Sequence, residues 1–220
     1  MHLDAIDFIE ATWNSRPYDP RQAMAIAPRP LIFHTMHLNV PSTDPVDEGV
    51  LAHAKWMIDT LDAPWYAEDL TITSVSGIDA IGIGYPPLFT REMRDLCADR
   101  IRYIQERLGV PFLVEMGYGY NFFGDYDPIA FHRDLVERAD CGFLLDVGHM
   151  TILCHSLGVD PAAALARLPL DRVLEIHITD VMKRPDGLWQ DTHAGRISDD
   201  LPTLLRRAVP RCSNLRAVTV

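Results

Sequence analysis

The sequence predicts an α/β fold, a TIM-like (β/α) barrel with seven recognisable strands. Two observations carry that expectation. Short apolar runs rich in β-branched and aromatic residues alternate with longer stretches of helical character, the rhythm of βα units around a parallel sheet. Six successive runs also end on a carboxylate or an imidazole, and the C-terminal ends of parallel barrel strands open onto one face, where barrel enzymes do their chemistry. Alternation by itself suits a doubly wound open sheet equally well, since helices cover a parallel sheet in both.

In order, strands are expected over Ala5 to Glu10, Pro30 to His34, Pro64 to Leu70, Pro111 to Glu115, Gly142 to Asp146, Val173 to Ile178 and Ala217 to Val220. Between them, Glu48 to Leu61 carries apolar residues at helical spacing, as does Thr90 to Leu108, where Arg91 to Gln105 alternates charges along an exposed face. Pro128 to Arg138 and Pro161 to Leu168 each begin with proline in the first helical turn, after Asp127 and Asp160 as N-caps. No repeat, low-complexity tract or linker divides the chain, so a single domain over residues 1–220 is expected.

Composition narrows the function classes. The chain has 20 Lys+Arg against 31 Asp+Glu, a net charge of -11, which opposes attraction to phosphate backbones and acidic lipid surfaces. Neither nucleic acid nor membrane is expected as a partner. Cys97, Cys141, Cys154 and Cys212 form no Cys-x-x-Cys pair and no disulfide framework, which fits a reducing cytoplasm; Cys141 and Cys154 read as small buried hydrophobes. The first ten residues carry Asp4, Asp7 and Glu10 where a signal peptide would be basic and then apolar, and no run approaches the roughly 18 apolar residues of a spanning helix.

The strand-end residues are Glu10, His34, Glu68 with Asp69, Glu115, Asp146 with His149 close behind, and Glu175 with His177; Asp191 and His193 come next, on a Gly- and Pro-flanked segment read as a loop. So many acids and imidazoles in one mouth oppose one another's ionisation unless a cation is present. Mixed His and carboxylate donors without thiolate suit iron, manganese or zinc, with positions open for oxygen or Lewis-acid chemistry. Taken singly, Glu10 and Glu68 read first as capping or ion-pair residues, and His177, inside Ile176-His177-Ile178, reads equally as a core histidine. Asp146 with His149 and Asp191 with His193 read as ligands or ligand-orienting pairs. His37, His53 and His132 read as surface residues, with His37 spaced to face the site, and His2 has no role.

Gly142-Phe143-Leu144-Leu145-Asp146-Val147-Gly148-His149, then His155-Ser156-Leu157-Gly158, then Val173-Leu174-Glu175-Ile176-His177-Ile178, then Asp191-Thr192-His193 resemble the motif series of the DUF692 proteins, the multinuclear non-heme iron-dependent oxidative enzymes. Phe33-His34, Ala63 to Leu70 and Leu113-Val114-Glu115 extend the resemblance over most of the chain. That family includes the methanobactin oxazolone synthase subunit, and its fold is a TIM-like barrel similar to xylose isomerase. By position, the resemblance implies His34, Glu115, Asp146, His149, His177, Asp191 and His193 as iron ligands. It also implies two or three iron ions of mixed Fe2+/Fe3+ state, O2 as co-substrate, a cysteine-containing ribosomally made precursor peptide as substrate, and a partner protein that grips the peptide's leader.

The departures from the pattern are Asp69, where the family usually has histidine, and Met116, where it usually has asparagine. The family also usually has a strand before the first one here and a glutamate after the last. The expected barrel therefore lacks one of eight staves, to be supplied by a segment outside the seven or left as an opening. Two rival readings stay open: a divalent-metal sugar isomerase or phosphodiesterase on the same type of barrel, and a non-catalytic relic that binds a peptide or partner.

Overall fold

A computed structural model describes residues 6–12, 21, 29–79, 84–193 and 195–220. In chain order the elements are β1 (Ile9–Ala11), β2 (Leu31–Thr35), α1 (Glu48–Leu61), β3 (Tyr66–Asp69), β4 (Ser74–Val75), β5 (Ile78–Asp79), α2 (Arg91–Leu108), β6 (Phe112–Glu115), α3 (Pro128–Ala139), β7 (Gly142–Asp146), α4 (Val147–Leu157), α5 (Pro161–Leu165), β8 (Val173–His177), β9 (Val181–Lys183), β10 (Trp189–Asp191), α6 (Asp200–Ala208) and β11 (Ala217–Thr219). Ala5, the expected start of the first strand, and His2 lie outside the described residues.

Seven strands form one sheet in the order β1-β2-β3-β6-β7-β8-β11, and every neighbouring pair is parallel. Sequential order with parallel pairing is the signature of a barrel, since a doubly wound sheet reverses its order at a switch point. Among the described residues no strand joins β1 to β11. The strands are staggered: His34 pairs with Ala67 across β2–β3, and Glu115 pairs with Leu144 across β6–β7. That tilt is what closing a sheet on itself requires.

The two faces of each strand obey the period of two. Outward residues, among them Phe33, Tyr66, Phe112, Val114, Phe143, Leu145 and Ile176, pack under the helices in the larger core. Ile32, Trp65, Ala67, Leu113, Leu144 and Ala217 form a smaller apolar cluster inside the barrel. A bulge between Phe143 and Leu144 sets Glu175 beside Leu144 and His177 beside Asp146, putting both β8 residues in register with the interior.

Several elements differ from expectation for local reasons. Val147–Leu157 is helical, capped by Asp146, yet nearly apolar all round, so it shows no helical stripe. Asp200–Ala208 buries Leu201, Leu204 and Ala208, with Pro202 tolerated because it sits in the first turn. The 181–191 segment is not a loop but an antiparallel ribbon, β9 with β10, on which Asp191 ends a strand and pairs with Val181. His132 is not a surface residue: its spacing with Ile129, Leu135 and Val136 puts it on the buried face of α3, where Nδ1 meets the Pro128 carbonyl at 2.7 Å. Burial lowers its pKa to about 4 and keeps it neutral. No helix among the described residues is long and apolar enough to cross a membrane.

Candidate metal centre

The site grows out of the same alternation. Two residues beyond each interior apolar residue, at or next to the strand's end, comes a polar one: Ile32 leads to His34, Ala67 to Asp69, Leu113 to Glu115 and Leu144 to Asp146, while β8 places Glu175 and His177 on that face. An open cavity of about 1760 Å³ lies at these strand ends, and His34, Asp69, Glu115, Asp146 and His177 stand in its wall. Glu115 and Asp146 are almost wholly buried, and His177 is 7% exposed.

Contacts among them are close. His34 Nε2 lies 2.6 Å from Glu115 Oε2 and 3.5 Å from Asp69 Oδ2, and its Nδ1 lies 3.3 Å from Glu10 Oε1. His177 Nδ1 faces Glu115 at 3.7 Å and Asp146 at 3.9 Å, while its Nε2 faces Glu10 at 3.0 Å and Glu175 at 3.4 Å. His149 Nδ1 lies 3.2 Å from the Met116 carbonyl and 3.3 Å from Glu115 Oε1, and its Nε2 lies 3.2 Å from Asp191 Oδ2. Asp146 Oδ1 accepts the His149 backbone N–H at 2.7 Å, the N-cap of α4, which fixes its rotamer.

Four sets of three side chains bring one donor atom each within 4.8 Å of one another: Glu10, His34 and His177; His34, Asp69 and Glu115; Glu115, Asp146 and His177; and Asp146, His149 and Asp191. The sets are linked, for Glu115 and Asp146 each belong to two.

The electrostatics show what such a cluster does without a cation. Burial lowers the His34 pKa, yet the Glu115 carboxylate outweighs it and pushes His34 up to about 10. For His177, burial again opposes, but contacts with Glu10 and Glu175 push it up to about 11. His149 is raised well above its ordinary value, against burial, by Asp146 and Glu115. Burial, then the Glu115 charge, pushes Asp69 up to about 7. Burial also opposes ionisation of Glu115, but His34 and His149 hold it well below the usual carboxylate range. Protons on the imidazoles thus serve as the neutralising charge, which is the part a metal ion takes.

A donor test agrees. Glu10 Oε1, His34 Nε2, both Glu115 oxygens, His177 Nε2 and Asp191 Oδ1 are buried atoms without well-directed hydrogen bonds, and all belong to this cluster. Buried polar atoms are ordinarily satisfied, so their convergence fits a cation held by nitrogen and oxygen donors. All four cysteines are buried thiols and none enters a set, so no thiolate comes from the chain.

Of the seven residues implied by resemblance, His34, Glu115, Asp146, His149, His177 and Asp191 come together. His193 stands apart: it belongs to no set, its side chain is 68% exposed, and its Nε2 contacts Asp191 Oδ2 at 2.8 Å. Glu10 joins the cluster despite reading as a structural acid, and its position two residues after the interior-packed Phe8 is the signal for it. Glu68 points the other way, behind the sheet, accepting hydrogen bonds from Thr35 Oγ1 and, at 2.6 Å, from the Leu38 backbone N–H. His37 does not line the cavity.

The family described as RiPP precursor modification enzyme MbnB/TglH/ChrH matches residues 4–219. A UPF0276 protein of Caulobacter vibrioides is 30% identical over 192 residues, covering 86% of this chain and 68% of that protein. One from Anaeromyxobacter sp. is 32% identical over 170 residues, covering 76% and 59%. The chain thus spans roughly two thirds or less of the length of these relatives. Among solved structures, D-psicose 3-epimerase from Clostridium cellulolyticum H10 superposes with a TM-score of 0.62 at 14% identity, covering 98% of this chain and 74% of that one. A xylose isomerase domain protein of Salmonella typhimurium gives 0.58 at 14%, covering 97% and 78%; both share the fold alone. The fold and the match over nearly the whole sequence agree with the motif resemblance: the chain belongs to the MbnB/TglH/ChrH family of RiPP precursor modification enzymes.

Proposed function

We propose that the chain holds two or three iron ions in the barrel mouth and, with O2, oxidises a cysteine of a ribosomally made precursor peptide. The observation that carries this reading is the linkage of ligand sets through shared carboxylates, which suits neighbouring ions better than one. Assigning each imidazole by the nitrogen that faces carboxylates gives three adjoining positions. His34 Nε2 serves with Asp69 and Glu115, His177 Nδ1 with Glu115 and Asp146, and His149 Nε2 with Asp146 and Asp191. His193 completes the implied ligand list only by moving inward around Asp191.

The remaining contacts orient these ligands. Glu10 takes the far nitrogens of His34 and His177, and the Met116 carbonyl takes Nδ1 of His149, which selects the tautomer that presents Nε2. Glu175 is itself held by Trp65 Nε1 at 2.9 Å and Thr219 Oγ1 at 3.0 Å, so it backs His177 from a fixed position. Iron bound here would supply affinity for thiolate and dioxygen and the redox change that oxidation needs. The chain's part is to keep imidazoles and carboxylates in register, to wall the site with the ring of Tyr118, 4.8 Å from that of His149, and to leave the cavity open to a peptide. The leader-gripping partner belongs to the same reading.

Metal analysis with Mössbauer spectroscopy, on protein grown with iron-57 and purified without oxygen, tests it. Two or more irons per chain with coupled spins are expected. Zinc or manganese alone would favour Lewis-acid chemistry, and no bound metal would favour a non-catalytic role.

A further inference from the structure

Beside the metal centre, one wall of the cavity is apolar and exposed. Tyr85, Leu88, Tyr120 and Phe123 all line the cavity and remain in water, with Leu88 47% and Phe123 67% exposed. A group of large apolar side chains left in water at the edge of a reaction cavity marks a contact surface.

The wall is also rigid. Residues 84–90 and 117–126 come from different βα connections, yet they are fastened together: Phe89 N–H donates to the Phe123 carbonyl at 2.7 Å, and Tyr126 N–H donates to the Phe89 carbonyl at 2.9 Å. Tyr85 exchanges backbone hydrogen bonds with Ile72 at 2.7 and 3.0 Å, which ties the same loop to the end of β3. Gly124 sits at φ +123°, and a Cβ there would lie 2.1 Å from the Phe89 carbonyl oxygen; at Gly119 it would lie 3.0 Å from Pro86. Both glycines permit a loop-to-loop approach that a side chain would block. Between the exposed Leu88 and Phe123, Phe89 is buried against Phe122 and Phe131, anchoring the wall in the core. Apolar side chains are therefore held in water by a preformed backbone, the arrangement that lowers the ordering cost of binding.

We propose that this wall is a specificity subsite for the precursor peptide, accepting an apolar side chain adjacent in sequence to the residue that reaches the metals. The inference rests on the peptide-oxidising reading, because the wall and the ligand cluster line one continuous cavity. The Tyr118 ring lies 4.8 Å from that of His149 and 6.2 Å from that of Tyr120, so an extended peptide with one residue at the ligands would lay a neighbouring side chain along this path towards the wall.

The test uses the chain purified without oxygen and four capped peptides: Ac-Gly-Cys-Gly-Gly-NH2, Ac-Gly-Cys-Phe-Gly-NH2, Ac-Gly-Phe-Cys-Gly-NH2 and Ac-Gly-Ser-Phe-Gly-NH2, with dissociation constants measured by calorimetry. At least one Cys/Phe peptide is expected to bind about fivefold or more tightly than the peptide without phenylalanine, the effect of burying about half a phenylalanine side chain. The Leu88→Ser/Phe123→Ser double variant should bring that advantage within about twofold; both side chains are exposed, so circular dichroism should match the parent. Tyr85→Ser provides a second, independent weakening. No preference for phenylalanine, or a preference that survives in the double variant, overturns the subsite. If serine replaces cysteine without loss of affinity while the phenylalanine preference still depends on Leu88 and Phe123, the subsite stands and the thiol-at-metal reading falls.

Discussion

Glu68 and the imidazoles show how burial sets protonation in opposite directions within a few residues. Behind the sheet, burial pushes Glu68 up to about 8 from an ordinary 4.5, despite the hydrogen bonds from Thr35 and Leu38 that favour its anion. The unfolded chain releases this proton near pH 4.5 and the folded chain only near 8, so the stability tied to it is full below 4.5 and lost as pH rises to about 8. Glu68→Gln, which mimics the protonated acid, should flatten that slope in urea titrations of the metal-free protein; an unchanged slope would show Glu68 ionised in the fold. In the mouth, His34 and His177 hold protons up to about 10 and 11. The stability they give the metal-free fold is full below their ordinary 6.5 and lost as pH climbs through those values. Metal ligation needs neutral imidazole, so loading near neutral pH should release protons and strengthen with pH. Calorimetry in two buffers of different ionisation enthalpy reads that release directly, and its absence would contradict the ligand roles. His149→Ala and His177→Ala should each lower bound metal by about one ion while leaving the fold intact; retention of all metal in both would refute the assignment.

At the scale of elements, strand ends carry the chemistry and helix caps hold them in place. Asp47 accepts the N–H groups of Gly49 and Val50 at the start of α1, so Asp47→Ala should cost about 1 kcal/mol and lower the Tm by roughly 2–4 °C in a thermal melt. Asp146 has two tasks, capping α4 with Oδ1 while offering Oδ2 to the cluster, and for that reason its helix is hard to see in the sequence: the cap lies inside what reads as a strand and a ligand motif. All seven sheet strands are legible from their apolar runs to within a few residues, with Ala5 outside the described part. The ribbons β4–β5 and β9–β10 are not, because each of their strands has two or three residues and turns polar or charged before an apolar run of recognisable length forms. Asp191 gains its place in the cluster from β10, which a loop would not fix.

For the molecule as a whole, sequential parallel order converts residues far apart in the chain into one cluster, and most of that cluster is readable from the polar residue at the end of each apolar run. Two features escape such a reading. Glu10 and Glu68 look alike in sequence, each a glutamate near the end of an apolar run, yet one faces the interior and one the helices; only the pleat register of the neighbouring strands separates them. His132 likewise reads as surface until the packing of α3 against the sheet selects its face. The linked ligand sets stand in the mouth of the barrel, and the chain as a whole belongs to a precursor-modifying family. Crystals grown from protein loaded with ferrous iron without oxygen, measured for anomalous scattering on both sides of the iron absorption edge, test the account most directly. Two or three iron peaks among His34, Asp69, Glu115, Asp146, His149, His177 and Asp191 are the expected result, and iron that is absent or bound elsewhere on the chain would contradict it.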